Sequence, residues 1–521
     1  MTFEDVISFL NDIIWSNWLV GLCLLAGLYF TIRLKLVQVW GIPDMFKQLR
    51  DGGSSEQGVS SFQALAMSLA GRVGTGNIAG VATAIAFGGP GAVFWMWTMA
   101  FLGAATSFVE CALGQVYKEE DAKGQYRGGP AYFIEKSFAH TAAAGFFRVY
   151  AAAFAVVCVV AMAFFLPGIQ SNSIAHAMEN AWGFAPLAVA LGVVIVLAFI
   201  IVGGVKRIAI FAGTVVPFMA LGYIILAIIV LTVNAGYIPE MFRLIVSSAF
   251  GAEAAFGGML GFAIEWGVKR GLYSNEAGQG TGPHPAAAAE VSHPAKQGLA
   301  QAFAVYIDTL LVCSATAFMI LSTGMYRVHE GSASAEIIYE GSGGLAESAR
   351  VGPAFTQAAL DTVFPGFGSS FVAIALAFFA FTTIVAYYYM AETNITYLFR
   401  NASRAPQEIT RRLVQLLILV AVAYGATVEP GAAWDMGDVG VGLMAWLNIV
   451  AILIMQVPAI KVLKDYQEQK KRGIDPQFDP RELDIKNAPW WEARADRLGY
   501  GRGARAQSGT GETGGATRAD G

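Results

Sequence analysis

Charge is scarce in this 521-residue chain. Only 14% of the residues are charged, whereas 55% are hydrophobic, and the mean hydropathy is +0.53. Soluble domains carry about 25% charged residues, so the composition excludes an ordinary soluble fold and indicates a membrane protein with many spans. The net charge of −4 and the scattering of basic residues between apolar stretches also exclude a nucleic-acid-binding protein.

Cysteines and catalytic motifs are scarce as well. The four cysteines stand singly in apolar stretches and form no Cys-x-x-Cys pair that could hold a metal or a redox disulfide. The sequence contains no His-Glu-x-x-His zinc motif, no Gly-x-Ser-x-Gly nucleophile elbow and no Walker phosphate loop. We therefore predict that the protein is not an enzyme and that ATP does not drive it.

Apolar stretches long enough to cross a bilayer recur along the chain, since a helical span needs about 20 residues. Eleven candidate spans lie near residues 15–34, 61–88, 90–117, 146–178, 184–203, 206–233, 253–272, 296–323, 367–398, 410–428 and 433–457. No basic region precedes the first span, so the start does not resemble a cleaved signal and this span is expected to stay. From about residue 473 the chain becomes polar and predicts disorder.

Lysine and arginine predict the orientation of these spans. If the N-terminus lies outside, the cytoplasmic loops hold most of the basic residues, including Lys269 and Arg270. The opposite loops hold little beyond Arg243, Arg327 and Arg350. This asymmetry predicts an external N-terminus and a cytoplasmic C-terminus.

The segment GRVGTGNIAG (71–80) contains a Gly-x-Gly-x-x-Ala pattern inside the second candidate span. A dinucleotide site would need a preceding strand and an acidic residue about 20 positions later, and the sequence provides neither. Close helix packing explains single glycines, but it does not explain Arg72, Thr75 and Asn77, which are costly in hydrocarbon. We therefore predict a helix broken at Gly74–Gly76, whose free carbonyls and amides bind a cation and a carboxylate.

An inverted repeat predicts a second break at the corresponding helix of the other half. The stretch AAFGGMLGF (254–262) offers one, with Gly257 and Gly258 as a wall of the substrate pocket, although close packing explains these glycines equally well. The predicted architecture is an all-α polytopic membrane protein, with two inverted groups of five helices after one extra helix. Its parts are a peripheral helix and connection (1–60), the repeats (61–235 and 236–460) and a cytoplasmic, largely disordered tail (461–521).

Six long motifs carry a resemblance to a known family. They are SLAGRVGTGNIAGVATAIAFGGPGAVFWMW, GQYRGGPAYFIEK, GIQSNSIA, GVKRGLYSNEAGQGTGP, VYIDTLLVC and FAFTTI, spread in order between about residues 25 and 455. These motifs resemble the alanine or glycine:cation symporters, the sodium:alanine symporter family. The resemblance implies a LeuT-type fold in the cell membrane and the import of small neutral amino acids, alanine or glycine, driven by a sodium gradient.

The resemblance also implies a substrate site around the first break. It places Gly74, Thr75, Gly76 and Asn77 around the carboxylate of the amino acid, and Gln170 near its amine.

A sodium site is implied beside the substrate. Its ligands would be the backbone carbonyls of Ala70, Val73 and Phe379 and the hydroxyls of Thr382 and Thr383. Oxygen ligands suit sodium as a hard cation. A threonine hydroxyl bonded to a carbonyl of its own helix is the plainer alternative.

Ionisable residues within spans are functional candidates by default. Asp308 is the best candidate for a proton-coupling carboxylate if sodium is not the ion, whereas Glu110 is expected to pair with Arg72 or with backbone amides. Glu276 is either a gating partner of Lys269 and Arg270 or a solvated charge. A proton-coupled transporter and a non-transporting amino-acid receptor remain the alternatives to sodium symport, and a channel is a further one.

Overall fold

Helices make up most of the described chain, and the long helices are apolar. The computed structural model describes residues 3–48, 58–201 and 204–500. In these residues, six helical stretches are long and apolar enough to cross a membrane, and the bent pair Asp5–Ile14 and Asn17–Arg33 would make a seventh. The six are Gly91–Val116, Ala144–Trp182, Ile210–Val233, Pro294–Thr323, Phe367–Leu398 and Pro430–Met455. The all-α, multi-span fold class is confirmed, and the total of eleven spans stays a prediction.

In its described residues, the first half of the chain contains twelve α-helices and one small hairpin. The helices are α1 (Phe3–Ile14), α2 (Asn17–Arg33), α3 (Val37–Trp40), α4 (Ile42–Gln48), α5 (Ser61–Arg72), α6 (Val81–Gly88), α7 (Gly91–Val116), α8 (Pro130–Ser137), α9 (Ala144–Val160), α10 (Leu166–Trp182), α11 (Pro186–Ile201) and α12 (Gly204–Val233). Two π-helical turns, Gly76–Gly80 and Ala161–Phe165, lead into α6 and α10. Strands β1 (Glu119–Glu120) and β2 (Tyr126–Arg127) pair antiparallel.

The second half repeats this pattern of long helices and short connections. Its helices are α13 (Ile238–Ala249), α14 (Leu260–Asn275), α15 (Pro283–Ala288), α16 (Pro294–Val305), α17 (Ser314–Thr323), α18 (Pro353–Asp361), α19 (Phe367–Leu398), α20 (Arg404–Gly425), α21 (Pro430–Met455), α22 (Val457–Lys471) and α23 (Pro489–Arg497). The 3₁₀ turns are Ala235–Tyr237, Ala254–Met259 and Pro480–Leu483, and a π-helical segment, Tyr306–Cys313, joins α16 to α17. Strands β3 (Arg327–His329) and β4 (Ile337–Glu340) form the second hairpin.

The helix that begins with α5 is broken where the sequence predicts it. α5 starts at a capping box on Ser60 and ends at Arg72. Val73 then leaves the helical conformation, with a ψ of 88°. The helix resumes as a π-turn from Gly76 and continues as α6. This confirms the predicted interruption near Gly74, and such π-turns occur frequently at functional sites.

The second break lies between α14 and α15. α14 ends at Asn275, and Glu276 takes a left-handed conformation with φ of 57°. Gly278 and Gly280 follow with φ of 92° and 86°, values that glycine adopts without strain. Helical structure resumes only at Pro283. The unwound segment is therefore residues 276–282.

The prediction of a break within 254–262 is wrong in position. That stretch begins with the 3₁₀ turn Ala254–Met259, which leads directly into α14. Gly257 and Gly258 are exposed at this helix start. Glycines at the start of a helix need no unwinding, whereas the positive φ angles that unwind the chain occur after Asn275.

The N-terminal helices pack against the last long helix. α1 and α2 meet at an angle of 43°, where the sequence predicts one span from residue 15. The Trp15 indole donates to the Asp438 carbonyl at 2.8 Å, and the Trp446 indole donates to the Ile14 carbonyl at 3.1 Å. Both bonds join the C-terminal end of α1 to α21. The two ends of the described core are therefore held together.

The C-terminal segment is folded up to residue 500, so the prediction of disorder from about residue 473 is wrong for 473–500. Trp491 in α23 is fully buried and its indole donates to the Gln115 carbonyl at the end of α7 at 2.8 Å. The ring of Phe478 packs against it, and the Lys118 ammonium lies 3.8 Å from the centroid of Trp490. Aromatic burial orders a segment whose overall composition is polar. The remainder of the predicted tail, 501–521, lies outside the described residues.

Candidate functional site

Thr383 is the central side chain of the predicted ion site. Its hydroxyl oxygen lies 2.8 Å from the Ala70 carbonyl oxygen, 3.4 Å from that of Val73 and 3.0 Å from that of Phe379. The Thr382 hydroxyl donates to the Phe379 carbonyl at 2.9 Å. The structure therefore brings all five predicted ion ligands together, between the broken end of α5 and the middle of α19. We refer to them as the five-oxygen cluster.

The five-oxygen cluster has the chemistry of a site for a hard monovalent cation. All five oxygens are neutral, and the residues that carry them are buried. Each carbonyl has two lone pairs, and one hydroxyl hydrogen cannot satisfy three carbonyls at once. Their remaining lone pairs can face a cation such as sodium, which takes oxygen ligands. The bond from Thr382 to its own helix is the arrangement that needs no ion.

Two backbone N–H groups at the first break donate to side-chain amide oxygens. The Gly74 N–H donates to Asn77 Oδ1 at 2.8 Å, and the Thr75 N–H donates to Gln170 Oε1 at 3.0 Å. These are amides that the sequence predicts for the substrate carboxylate. The hydroxyl oxygen of Thr75 is buried without a hydrogen-bond partner in the described part of the chain. Side-chain amide oxygens thus occupy the positions that carboxylate oxygens would take.

Gln170 connects the first break to two tyrosines. Its Nε2 donates to the Tyr273 hydroxyl at 3.1 Å and to the Tyr387 hydroxyl at 3.5 Å. Tyr273 lies near the end of α14 and Tyr387 one turn after Thr383 on α19. Neither tyrosine is predictable from the sequence, because each is an ordinary aromatic residue in an apolar stretch. Only the packing of three distant helices brings them to Gln170.

The opposite side of the break contacts Asp308. Asn77 Nδ2 donates to Asp308 Oδ1 at 2.6 Å. The hydroxyls of Ser274 and Thr309 donate to Asp308 Oδ2 at 2.9 Å and 2.7 Å. Asp308 lies in the π-helical segment between α16 and α17 and is fully buried. The predicted coupling carboxylate is therefore part of the same polar centre as the first break.

The two breaks meet at Gly76. A Cβ added there would lie 3.0 Å from the Tyr273 ring and 3.2 Å from the Ser274 Cα. Gly76 is therefore required for the close approach of the π-turn to the end of α14. This contact places the ends of both interrupted helices around one centre, as expected for a site at a repeat interface.

Glu110 holds the second break. Its carboxylate accepts the backbone N–H groups of Gly278 and Gly280, each at 3.2 Å, and the Asn448 side-chain amide at 2.8 Å. The predicted tie to backbone amides is confirmed. Arg72 instead donates to the Gln301 carbonyl at 3.0 Å.

Both alternatives for Glu276, a gating pair with Lys269 and Arg270 and a solvated charge, are wrong. Glu276 is buried and accepts the Thr281 hydroxyl at 2.9 Å. Lys269 and Arg270 lie within α14, not in a cytoplasmic loop, and both bind Asp438, at 3.0 Å and 2.8 Å. Their burial inside the protein depends on that carboxylate, because a buried cation needs a close partner.

Gly257 and Gly258 lie away from this centre. Both are exposed, and a Cβ built on Gly258 would lie in open space. The structure does not bring them to Gly74 or Gln170.

A cavity of about 340 Å³ opens beside the site. Asn172 and Ser173 line it, two and three residues after Gln170 on α10. Trp434 forms another part of the wall and its ring lies 5.2 Å from that of Tyr273. The cavity therefore reaches the layer of side chains that directly covers the first break.

Comparison with known proteins decides the family. A model of the sodium:alanine symporter family matches residues 1–480. This chain belongs to that family. Among similar members is YrbD of Bacillus subtilis (strain 168), described by its name as a sodium/proton-dependent alanine carrier, with 55% identity over 94% of this chain and 97% of that protein.

Two further members of the sodium:alanine symporter family cover most of the chain. The sodium/proton-dependent alanine carrier protein of Bacillus sp. (strain PS3) is 51% identical over 86% of this chain and 97% of its own length. The sodium/alanine symporter AgcS of Methanococcus maripaludis is 35% identical over 90% and 99%. As a member of this family, the protein is a multi-pass membrane transporter of the cell membrane.

Proposed function

We propose that this protein is a secondary active symporter that imports small neutral amino acids, alanine or glycine, together with sodium by alternating access. Relatives named as alanine carriers or symporters, similar over nearly the whole chain, support the substrate and the ion. The observation that carries the proposal is the contact of Thr383 with the Ala70 and Val73 carbonyls at the helix break.

Sodium at the five-oxygen cluster would act as a bridge between α5 and α19. It would draw the carbonyls at the end of α5 and the hydroxyls of α19 to one point. This contact stabilises the conformation that accepts substrate from outside, so sodium shifts the population toward it. Coupling is then a difference in binding free energy between two conformations, without a chemical step.

The amino acid would bind at the first break. Its carboxylate would accept the Gly74 and Thr75 N–H groups in place of the Asn77 and Gln170 oxygens that accept them in this structure. The displaced Gln170 oxygen can then accept the substrate ammonium. The site accommodates only a short side chain, because Gly74 and Gly76 already touch their neighbours.

Sodium activation of uptake tests the ion site. Alanine uptake into proteoliposomes should require an inward sodium gradient, and Thr383→Ala should raise the half-saturating sodium concentration about tenfold or more, as expected for the loss of one good ligand contact. Thr382→Ala should have a smaller effect, because its hydroxyl bonds within its own helix. Thr396→Ala is the matched control, since this hydroxyl bonds to the Glu392 carbonyl on the same helix, outside the cluster.

Three outcomes would contradict the proposal. Uptake driven by a pH gradient in the absence of sodium would make the protein a proton symporter. Binding of alanine without exchange across the vesicle membrane would make it a receptor. An unchanged sodium requirement in Thr383→Ala would remove the five-oxygen cluster from the mechanism.

We further propose an external N-terminus, a cytoplasmic C-terminus and two inverted repeats, 61–235 and 236–460. A cysteine at exposed Ser332 should react with a membrane-impermeant maleimide on intact cells, whereas a cysteine at exposed Lys123 should react only after permeabilisation. The native cysteines are buried and give a low background. The opposite labelling pattern would reverse the orientation.

A further inference from the structure

Asp308 is a buried carboxylate without a cation in contact. It is fully buried in a span-forming stretch, and within the described chain no lysine or arginine nitrogen lies within 4.0 Å of it. Its oxygens accept hydrogen bonds from Asn77, Ser274 and Thr309. An ionised carboxylate in such surroundings is costly, so the site favours the arrival of a positive charge.

The ligands around Asp308 suit a proton better than a metal ion. A metal ion needs several oxygen lone pairs directed at it. Here the Asn77 nitrogen and two hydroxyls direct hydrogens at the carboxylate, and the Asn77 oxygen is already bonded to the Gly74 N–H. A proton needs no cavity and only one carboxylate oxygen.

Asn77 connects Asp308 to the substrate amides. Its nitrogen faces Asp308 Oδ1 at 2.6 Å, and its oxygen accepts the Gly74 N–H at 2.8 Å. The ionised carboxylate therefore holds the Asn77 amide in the orientation that caps Gly74. A protonated carboxyl can donate instead, so the amide can turn over and leave the Gly74 N–H without an acceptor.

We propose that Asp308 binds a proton, and that this proton releases the Gly74 N–H from Asn77 so that the substrate carboxylate can bind there. The inference rests on the proposed alanine site and adds a second cation, separate from sodium at the five-oxygen cluster. By reciprocity, protonation raises the affinity for alanine and alanine binding takes up a proton.

Other ionisable groups face Asp308 from the elements packed around it. Arg72 at the end of α5 and Glu276 after α14 interact with it electrostatically, and Cys313 lies on its own π-helical segment. Glu110 on α7 lies beyond Arg72, and Tyr223 on α12 lies near Cys313. Cys313 Sγ also accepts from Asn77 Nδ2, at 3.3 Å, but a thiol is neutral below its ordinary pKa of about 8.5. Of the groups bonded to Asn77 in the described chain, the Asp308 carboxylate is therefore the one whose charge sets the orientation of that amide.

Alanine binding at saturating sodium tests the proposal. In detergent-solubilised protein, wild-type affinity for alanine should rise about tenfold between about pH 8 and 5.5. Binding in weakly buffered solution should also take up protons, which a pH indicator records. Asp308→Asn should bind alanine with sodium dependence intact, but without proton uptake and with an affinity that does not change with pH.

Two further variants keep the test decisive. Thr309→Val removes one donor to the ionised carboxylate and should move the pH profile toward higher pH. Glu265→Gln removes a half-buried carboxylate of α14 and should keep the wild-type profile. A wild-type pH dependence in Asp308→Asn would overturn the proposal, and so would an unchanged pH profile in Thr309→Val. Sodium-driven alanine uptake by the wild type is measured separately. Failure of the proposed symport would abolish this uptake, whereas failure of the proposal on Asp308 would leave it intact.

Discussion

Gly74 has no room for a side chain. A Cβ on this residue would lie 2.5 Å from the Thr383 hydroxyl and 3.0 Å from the Gln170 amide oxygen. The first atom belongs to the five-oxygen cluster and the second caps a substrate amide. A single methyl group at this point therefore presses on the ion site and on the substrate site together.

We expect Gly74→Ala to lower sodium-driven alanine uptake by about tenfold or more while the protein still folds, since overpacking of this kind costs about 1–3 kcal/mol. Uptake is measured in proteoliposomes and folding by the thermal unfolding midpoint. Gly258→Ala is the control, because this glycine is exposed and its Cβ would lie in open space. Wild-type uptake by Gly74→Ala would show that the break is not the transport site.

Contacts between side chains of different helices were only partly predictable from the sequence. Thr75 and Asn77 were identified because polar groups in hydrocarbon require a partner. Tyr273 and Tyr387 were not, because 103 and 217 residues separate them from the Gln170 amide that they accept. No local pattern records such a contact.

Helix breaks and helix caps determine much of the architecture at the scale of the element. The first break was predictable because its polar residues stand out from an apolar run. The second was misplaced, although its signal was present in the glycines of 276–282, which alternate with polar residues. The position of Gly257 and Gly258 in the repeat predicts a break there, whereas the positive φ angles of Glu276, Gly278 and Gly280 mark the segment that is unwound.

The C-terminal segment is held to the membrane domain through Trp491. We expect Trp491→Ala to lower the free energy of unfolding by about 3–5 kcal/mol, as for other buried tryptophans. The variant also loses the hydrogen bond to the Gln115 carbonyl. The unfolding midpoint of purified protein measures the change. Leu498→Ala, which truncates a residue that is 52% exposed, should leave the midpoint nearly unchanged.

His293 caps the N-terminus of α16 in its neutral form. Its Nδ1 accepts the Ala295 N–H at 3.2 Å, and its Nε2 faces the Asp465 carboxylate at 3.1 Å. Burial lowers the pKa of His293, against the opposing effect of Asp465. A proton on Nδ1 would point at the Ala295 N–H, and two donors cannot form a hydrogen bond. Protonation of His293 therefore breaks the cap.

The stability that this cap contributes should therefore decrease as the pH is lowered. As the pH is lowered, His293 takes up a proton in the unfolded chain before it does so in the folded protein. Its contribution to stability is therefore present above about pH 6.5 and declines below it. The unfolding midpoint between about pH 8 and 5 should decrease less steeply in His293→Gln than in the wild type. His140→Gln alters an exposed histidine and should keep the wild-type slope. Equal slopes in all three proteins would exclude the cap as a pH-dependent element.

Asp438 joins parts of the whole molecule that are distant along the chain. It binds Arg270 and Lys269 on α14, and its backbone carbonyl accepts the Trp15 indole. We expect Asp438→Asn to lower the free energy of unfolding by about 3–5 kcal/mol, because it leaves two buried cations without a carboxylate. Thermal unfolding measures this change. Glu240→Gln, which breaks an exposed pair with Arg243, should have little effect.

Membership of the membrane proteins was predictable from composition. The part of the site at the first break was predictable from the polar residues that interrupt the apolar stretch there. Long-range ion pairs were not, and Lys269 and Arg270 show why. Adjacent basic residues at the edge of an apolar stretch ordinarily mark a loop. Here Asp438, 168 residues beyond Arg270, neutralises them inside the core.

The partner of Trp15 is synthesised 423 residues after it. At about 5–20 residues per second, the ribosome needs roughly 20–85 seconds to reach that point. During this interval the earliest helices are already in the bilayer, while α21 does not yet exist. Lipid or the insertion machinery must therefore shield the face of α1 that later contacts α21 until α21 has been synthesised.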